Sequence, residues 1–328
     1  MTLAVSIAQS GSNNTTFRNR LINGAMQIAQ RATSGTSGST VPTTTATYPS
    51  LDRWYAYATG ATVTVAQVAG TVPIKNNLAV TGAASVTAVG VGQRIEQLNS
   101  YDLAGSTATL SVNISNTLLT TVTWTASYAT SADTWSAKTQ IATGTFTVTS
   151  SLVNYTANIS IPSAATTGIE ILFTVGAQIS GTWTIGNVQL EAGSTASPFE
   201  YRSYGTELAL CQRYYEKSYN IDVVPGTATS VNARLTTNIA TISGSSADRN
   251  MLLGSAYAVT KRTTPAVVFY NVVAGTINAI SSYSGGVSYT VSTYNGGGAT
   301  SIAYYIGTAT SPAGTEACNY QFTASAEL

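Results

Sequence analysis

The sequence predicts an all-β protein: an antiparallel sandwich, a short helical joint, and a second, smaller β-sandwich domain at the C-terminal end. Three observations carry this. From Trp54 to Leu190, apolar and polar side chains alternate in one short run after another, the period-two pattern of strands with one face buried. The runs are separated by Gly, Ser, Asn and Pro clusters that form turns, as in an antiparallel sandwich. Alternation breaks down between about 203 and 219, where charges gather and a helical spacing appears, and resumes beyond.

Taken in order, residues 1–16 end in a polar, turn-rich run and read as an arm that orders only against something else. Leu21, Ile22, Met26 and Ile28 read as a first strand, and 33–47 as a Ser/Thr/Gly surface loop of low complexity. Strands are expected at 62–68, 108–114, 121–125, 144–149, 169–175 and 182–185. The helix follows. Thr206 is placed to cap it, Glu207 suits its positive end, and Leu208, Cys211, Gln212 and Tyr215 share a face. Strands then resume at 231–242, 265–271, 287–294, 301–306 and 320–328. At 328 residues the chain is long enough for two cores. The expected division is an arm (1–16), a first β domain (17–202), a helical linker (203–219) and a C-terminal β domain (220–328).

Residues 191–217 hold seven charged side chains, whereas 104–169 hold only Asp133 and Lys138, and 263–328 only Glu316 and Glu327. A charged joint thus separates two neutral bodies. Its residues, from Asn187-Val-Gln-Leu-Glu-Ala-Gly-Ser-Thr-Ala-Ser-Pro-Phe-Glu-Tyr-Arg202 through the helix to Lys217, form a set with Arg20-Leu-Ile-Asn-Gly-Ala-Met-Gln-Ile-Ala-Gln-Arg31 and Leu51-Asp-Arg-Trp-Tyr55. That set resembles bacteriophage tail-fibre and related virion fibre proteins, whose front half is similar to a carbohydrate-binding-module jelly roll. The last residues, 320–328, are similar to the closing strand of such proteins. The resemblance implies a jelly roll for the first domain and a homotrimer. It also implies that the arm attaches to other virion proteins, that the receptor is a host-surface glycan or protein, and that the chain is made in a bacterial cytoplasm and resides in the virion. The C-terminal domain would be the receptor-binding tip. Such modules often carry a structural calcium near their first and last strands, at positions matching Asn23 and Asn187. Asn187 stands where an acid is common, which lowers the ligand charge.

Composition narrows the function classes. Only 8% of residues are charged, with a net charge of +1, so the surface has little electrostatic protection against self-association and no field for nucleic acid. No apolar run approaches the roughly 20 residues that span a bilayer, and the first residues lack the basic region of a secretory leader. There is no histidine, which removes Ser-His-Asp, Cys-His and His-metal chemistry. Cys211 and Cys318 read as buried apolar thiols. Carboxylate pairs such as Glu96 with Asp102, or Asp52 with Glu170, leave a polysaccharide depolymerase as a rival, and a purely structural head, neck or baseplate fibre as another. The expectation is that the protein is not an enzyme. Aromatic rings among small polar residues suit saccharides, whose C–H faces pack on rings while Asn, Gln and Ser bind hydroxyls. The candidates are Tyr283, Tyr289, Tyr294, Asn295 and Tyr304 in the C-terminal domain, and Trp124 and Trp135 flanking the hydroxyl-rich turn 127–136. Trp54 and Trp183 read as core.

Overall fold

The computed structural model describes residues 17–31, 39–41, 47–228, 235–238, 253–282, 288–290, 297–304 and 317–328. The expected arm (1–16) and most of the 33–47 loop lie outside them. The first part contains β1 (Ser39–Val41), β2 (Tyr55–Thr59), β3 (Val63–Ala69), β4 (Asn76–Thr81), β5 (Ala88–Ile95), β6 (Thr107–Asn116), β7 (Thr121–Ser131), β8 (Thr134–Thr147), β9 (Val153–Ser160), β10 (Ile169–Val175) and β11 (Thr182–Ala192). These form two antiparallel sheets, ordered β1-β3-β4-β11-β6-β9 and β2-β5-β10-β7-β8. Apart from the hairpins β3–β4 and β7–β8, consecutive strands cross from one sheet to the other in the manner of a jelly roll. Between them lies one core in which Leu110, Val112 and Ile114 of β6 meet Ile169, Ile171 and Phe173 of β10, all fully buried, with Trp54 and Trp183. Alternation in the sequence thus becomes alternation between the core and the outer face of each sheet.

Residues 17–31 are not a strand. Asn23 and Met26 adopt positive φ (58° and 56°), which breaks a ladder and suits Asn better than most side chains. The Asn23 amide holds the turn closed: Nδ2 donates to the carbonyls of Ile28 (2.8 Å) and Asp52 (3.0 Å), and Oδ1 accepts from the Ile28 N–H (2.9 Å). Trp54 Nε1 donates to the Asn23 carbonyl (3.0 Å). The apolar spacing that looked like a strand is a plug, with Leu21, Met26 and Ile28 fully buried.

Past β11, residues 193–202 turn back over the outer face of the six-stranded sheet. Glu191 accepts from the Ser197 N–H (2.8 Å) and hydroxyl (2.5 Å), and Gln189 Oε1 accepts from the Glu200 N–H (2.8 Å). Glu200 in turn accepts from the N–H groups of Arg18 and Asn19. The strap therefore ties both ends of the first domain together.

Two helices of ordinary α type occur among the described residues, the single turn α1 (Gln97–Ser100) and α2 (Tyr204–Gln212). The cap of α2 is Ser203, whose hydroxyl accepts from Thr206 N–H, three residues before the expected cap; the helix begins earlier because Ser203 is extended and Tyr204 already helical. Cys211 and Tyr214 pack on Ile22 and Ile28, with Leu208 and the last residue Leu328 alongside. Burial pushes the Cys211 thiol well above its ordinary pKa.

The second part contains β12 (Tyr215–Lys217), β13 (Leu235–Asn238), β14 (Leu253–Ala256), β15 (Ala266–Tyr270), β16 (Ala279–Ser282), β17 (Ser288–Thr290), β18 (Ser301–Tyr304) and β19 (Ala317–Ser325). The hub is β19, which pairs antiparallel with β12, β13, β15 and β16, while β17 extends β16 and β14 pairs with β18. The segment expected as a linker (203–219) thus ends in β12, a strand of this second sheet, and Glu216 of β12 pairs with the buried Lys261. A fragment starting at Asn220 lacks that strand. The last residues also pack on the first domain: Glu327 pairs with Arg31 and Arg53, and Arg94 Nη1 and Tyr48 Oη donate to the Leu328 carbonyl oxygen at 2.7 and 3.0 Å.

Candidate saccharide-binding face

The outer face of the five-stranded sheet carries the most concentrated set of aromatic and hydroxyl groups. On β2, Tyr55 and Tyr57 point outward, opposite Gly92 and Gly90 of β5. Those glycines are required: a Cβ at Gly90 would lie 2.2 Å from the Tyr57 ring, and one at Gly92 2.5 Å from the Tyr55 hydroxyl. Both rings therefore lie across β5 as a shelf. Tyr57 is half-buried and Tyr55 is buried, edge-on to Tyr48 at 6.2 Å.

At the end of the face nearest the C-terminus sits a charged cluster. Glu170 of β10 is buried and binds Arg94 Nε (3.1 Å) and the Lys138 ammonium. Arg94 lies over the rings of Tyr55 (5.0 Å) and Trp135 (5.4 Å). Burial first, then the neighbouring Glu170 carboxylate, pushes the Tyr55 phenol well above its usual pKa, and the same two causes raise Tyr57. Both phenols are neutral hydroxyls at physiological pH. Toward the other end, Leu172 and Thr174 of β10 run beside Thr125 and Thr123 of β7 and then Thr143 and Thr145 of β8. Thr125 and Thr143 share a hydrogen bond across strands at 3.1 Å. These threonines are half-buried or exposed. A ring shelf beside a row of hydroxyls offers C–H stacking and neutral donors and acceptors together.

The residues expected from the sequence separate into three groups. Trp135 joins the face: it is half-buried, stands under Arg94, and packs against Gly168, where a Cβ would approach the ring to 3.2 Å. Its indole Nε1 is buried without a hydrogen-bond partner. Trp124 faces the other way, 7% exposed, against Phe146 in the core at 6.4 Å, because its position in β7 has the inward parity of Val122 and Ala126. Tyr283, Tyr294 and Asn295 lie outside the described residues. The backbones of Tyr289 and Tyr304 lie in β17 and β18. Sequence reasoning missed Tyr55, Tyr57 and Arg94. The available signal was the Gly90-Val-Gly92 pair, two glycines at alternate positions, matching Tyr55-Ala-Tyr57.

The calcium expectation does not fit the groups present. Both atoms of the Asn23 amide are consumed by the turn, and Asn187 Nδ2 donates to Tyr201 Oη (2.9 Å). Among the described residues, no cluster of three or more Asp, Glu, His or Cys side chains is arranged to hold a metal, whereas calcium takes six to eight oxygens with carboxylates among them. The carboxylates weighed for catalysis are engaged. Asp52 binds Arg31 and Gln30, Glu96 binds Arg213 and Tyr214, Asp102 binds Arg20, and Glu170 binds two cations. No described helix is long and apolar enough to cross a membrane.

No protein-family model matches the chain, and no curated protein sequence matches it. Solved structures that resemble it include the enzymatically active domain of tailspike protein 4 from bacteriophage CBA120, at 20% identity and a TM-score of 0.33, over 43% of this chain. That match spans 19% of the tailspike chain's own length. A CBM4 module is similar over 52% of this chain and 98% of its own, at 14% identity and a TM-score of 0.35. A family 22 carbohydrate binding module from Clostridium thermocellum is similar over 44% and 89%, at 17% identity and a TM-score of 0.33.

Proposed function

We propose that the chain is a non-catalytic, glycan-binding fibre of a virus particle, attaching it to a bacterial surface through the outer face of the five-stranded sheet. The observation that carries this reading is the half-buried Tyr57 ring, seated on Gly90 and flanked by the buried Tyr55 on Gly92, beside the threonine rows of β7 and β8. It supplies apolar ring area, neutral hydroxyls and, at one end, the Arg94, Glu170 and Lys138 cluster that fixes a direction along the face. The engaged carboxylates favour binding over hydrolysis, since a glycosidase needs one carboxyl free to donate a proton and another free to attack or activate water. The fibre context rests on the motifs at 20–31, 51–55 and 187–217. In that context three chains share an axis and the first residues attach to other virion proteins. Weak single faces then add up, because the second and third contacts are effectively intramolecular.

Binding of the purified protein to host envelope polysaccharide tests the reading. Tyr57→Ala and Trp135→Ala should each lower binding tenfold or more, the cost of truncating an aromatic anchor, with the fold intact. Unchanged binding in both, with loss in a Tyr283→Ala, Tyr294→Ala double variant, moves recognition to the C-terminal domain. Glycan fragments released on incubation overturn the non-catalytic reading.

A further inference from the structure

On the reading that the open face is the glycan site, its charged end narrows the class of saccharide. Strand register sets the outward residues of the five-stranded sheet in three rows. In the first, Tyr57 lies over Gly90, in line with Thr174, Thr123 and Thr145. In the second, Tyr55 lies over Gly92, in line with Leu172, Thr125 and Thr143. The third holds Arg94, Glu170, Ser127 and Gln140. Rows two residues apart stand about 7 Å from each other, so the first and third are roughly 14 Å apart. More than one sugar ring is needed to span them. Two rows are thus neutral and the third is ionic.

At the ionic row, depth separates the signs. The Glu170 side chain is 1% exposed, whereas those of its partners Arg94 and Lys138 are 20% and 38% exposed. The carboxylate receives Arg94 Nε (3.1 Å) and the Lys138 ammonium, and the Tyr55 phenol stands beside it. A solute arriving from water therefore meets the ammonium and not the acid. Arg94 also spends Nη1 on the Leu328 carbonyl oxygen (2.7 Å). Lys138 is freer, since its ammonium has three donors and Glu170 takes one. Asp133, the other acid at this end, accepts from the Gln97 N–H (2.7 Å). Around Lys138 on β8, the exposed Ser136, Ala137, Thr139 and Gln140 are all neutral. The cation is therefore not one of a crowd of solvating charges.

We propose that the open face binds an acidic oligosaccharide, with one sugar stacked on Tyr57 beside the threonines and a further sugar placing a single negative charge, such as a uronic carboxylate, on the Lys138 ammonium. A unit charge suits the site, because two cations against the one Glu170 carboxylate leave one positive charge in excess. Gln140 and the threonine hydroxyls remain for the neutral groups of the same chain of sugars.

Titration calorimetry on the full chain tests this with oligosaccharides of alginate, polygalacturonate and hyaluronan, each paired with its carboxyl-reduced form. Carboxyl reduction turns a uronate into a neutral hexose and keeps every linkage. At least one acidic member should bind, about tenfold or more tighter than its reduced partner, the scale of one charge-assisted hydrogen bond. Lys138→Met should abolish that preference and leave binding of the reduced form unchanged, whereas Lys138→Arg should retain it. Tyr57→Ala should weaken both members of the pair. Equal binding of acidic and reduced forms, both weakened by Tyr57→Ala, overturns the acidic preference and leaves the face a neutral glycan site. A preference that survives Lys138→Met, or acidic binding insensitive to Tyr57→Ala, places the charge reader elsewhere and also overturns it. Binding by no member of any pair overturns this inference together with the reading it rests on. If Lys138→Met does not fold, the comparison of acidic with reduced forms on the unaltered chain decides by itself.

Discussion

The two outer faces of the sandwich start from the same sequence pattern and end in opposite conditions. On β6, Thr109 and Ser111 point outward yet are 1% and 6% exposed, because the strap covers them. On β7 and β8, the equivalent threonines 123, 125, 143 and 145 stay half-buried or exposed. Polar alternation predicts only which side of a strand avoids the core. Whether that side meets water, a ligand or another piece of the chain depends on segments far away in sequence, here the ten residues after β11 and the last three residues of the chain. The covered face binds its strap through hydrogen bonds to Glu191 and Gln189; the open face is bounded at one end by the Arg94 contact with the C-terminus.

The largest effect is expected where the open face ends. Arg53 is buried and held by Glu327, so Glu327→Ala strands a cation in the interior and should cost about 3–5 kcal/mol. Chemical denaturation measures it. A loss near zero would mean that the C-terminal residues do not close this face in solution. On the covered face, Glu191→Ala removes the carboxylate that receives Ser197 and Gln189 and should cost about 1.5–3 kcal/mol, the value of hydrogen bonds to a charged group. Hydrogen exchange should then rise along 193–200 and stay unchanged on β7 and β8. Rising exchange on both faces would show that strap and open face are one cooperative unit.

Alkaline titration reads the buried phenols and the buried Lys217 together. Burial raises the phenols of Tyr48, Tyr214 and Tyr219 to about 12. The folded state keeps those protons between pH 10 and 12 while the unfolded chain releases them, so this stability is complete below pH 10 and is lost as pH rises through 12. Burial of Lys217 acts oppositely, lowering its pKa to about 8. The unfolded chain then holds the extra proton between pH 8 and 10.5, so folding gains over that window. The melting temperature should therefore rise slightly above pH 8 and fall beyond about pH 9, where the unfolded chain first releases the Cys211 proton and then those of the phenols. A monotonic fall from pH 8 would show that Lys217 is solvated. The smallest effect on stability is expected for Tyr57→Ala, less than about 1 kcal/mol, because the ring is partly exposed and rests on a glycine; differential scanning calorimetry checks it, and a larger loss would make the shelf a structural element.

Much of the fold was legible before the structure. The strands expected at 108–114, 169–175 and 182–185 are the centres of β6, β10 and β11, since each has a strict period of two and one buried face. The helix was legible from its charge and spacing, although its cap moved from Thr206 to Ser203. Residues 21–28 were misread, because four apolar side chains spaced along a buried turn imitate a strand and only the positive φ of Asn23 and Met26 distinguishes them. Trp124 and Trp135 were not separable in the sequence, since the parity of a strand residue depends on which face the sheet buries; the structure sets Trp124 in the core and Trp135 on the outer side.

By itself the sequence determined the local physics of this protein: neutral strands, polar turns, the charged joint at 191–217, and the lack of histidine chemistry. Those follow from side-chain character and spacing over a few residues. Tertiary structure alone decided that Tyr55 and Tyr57 lie on Gly92 and Gly90, that Glu170 is shared by Arg94 and Lys138, and that Asn19 and Arg18 meet Glu200 of the strap. Each of these pairs residues distant in the chain, and their meeting is fixed by strand order and register, which no local pattern encodes.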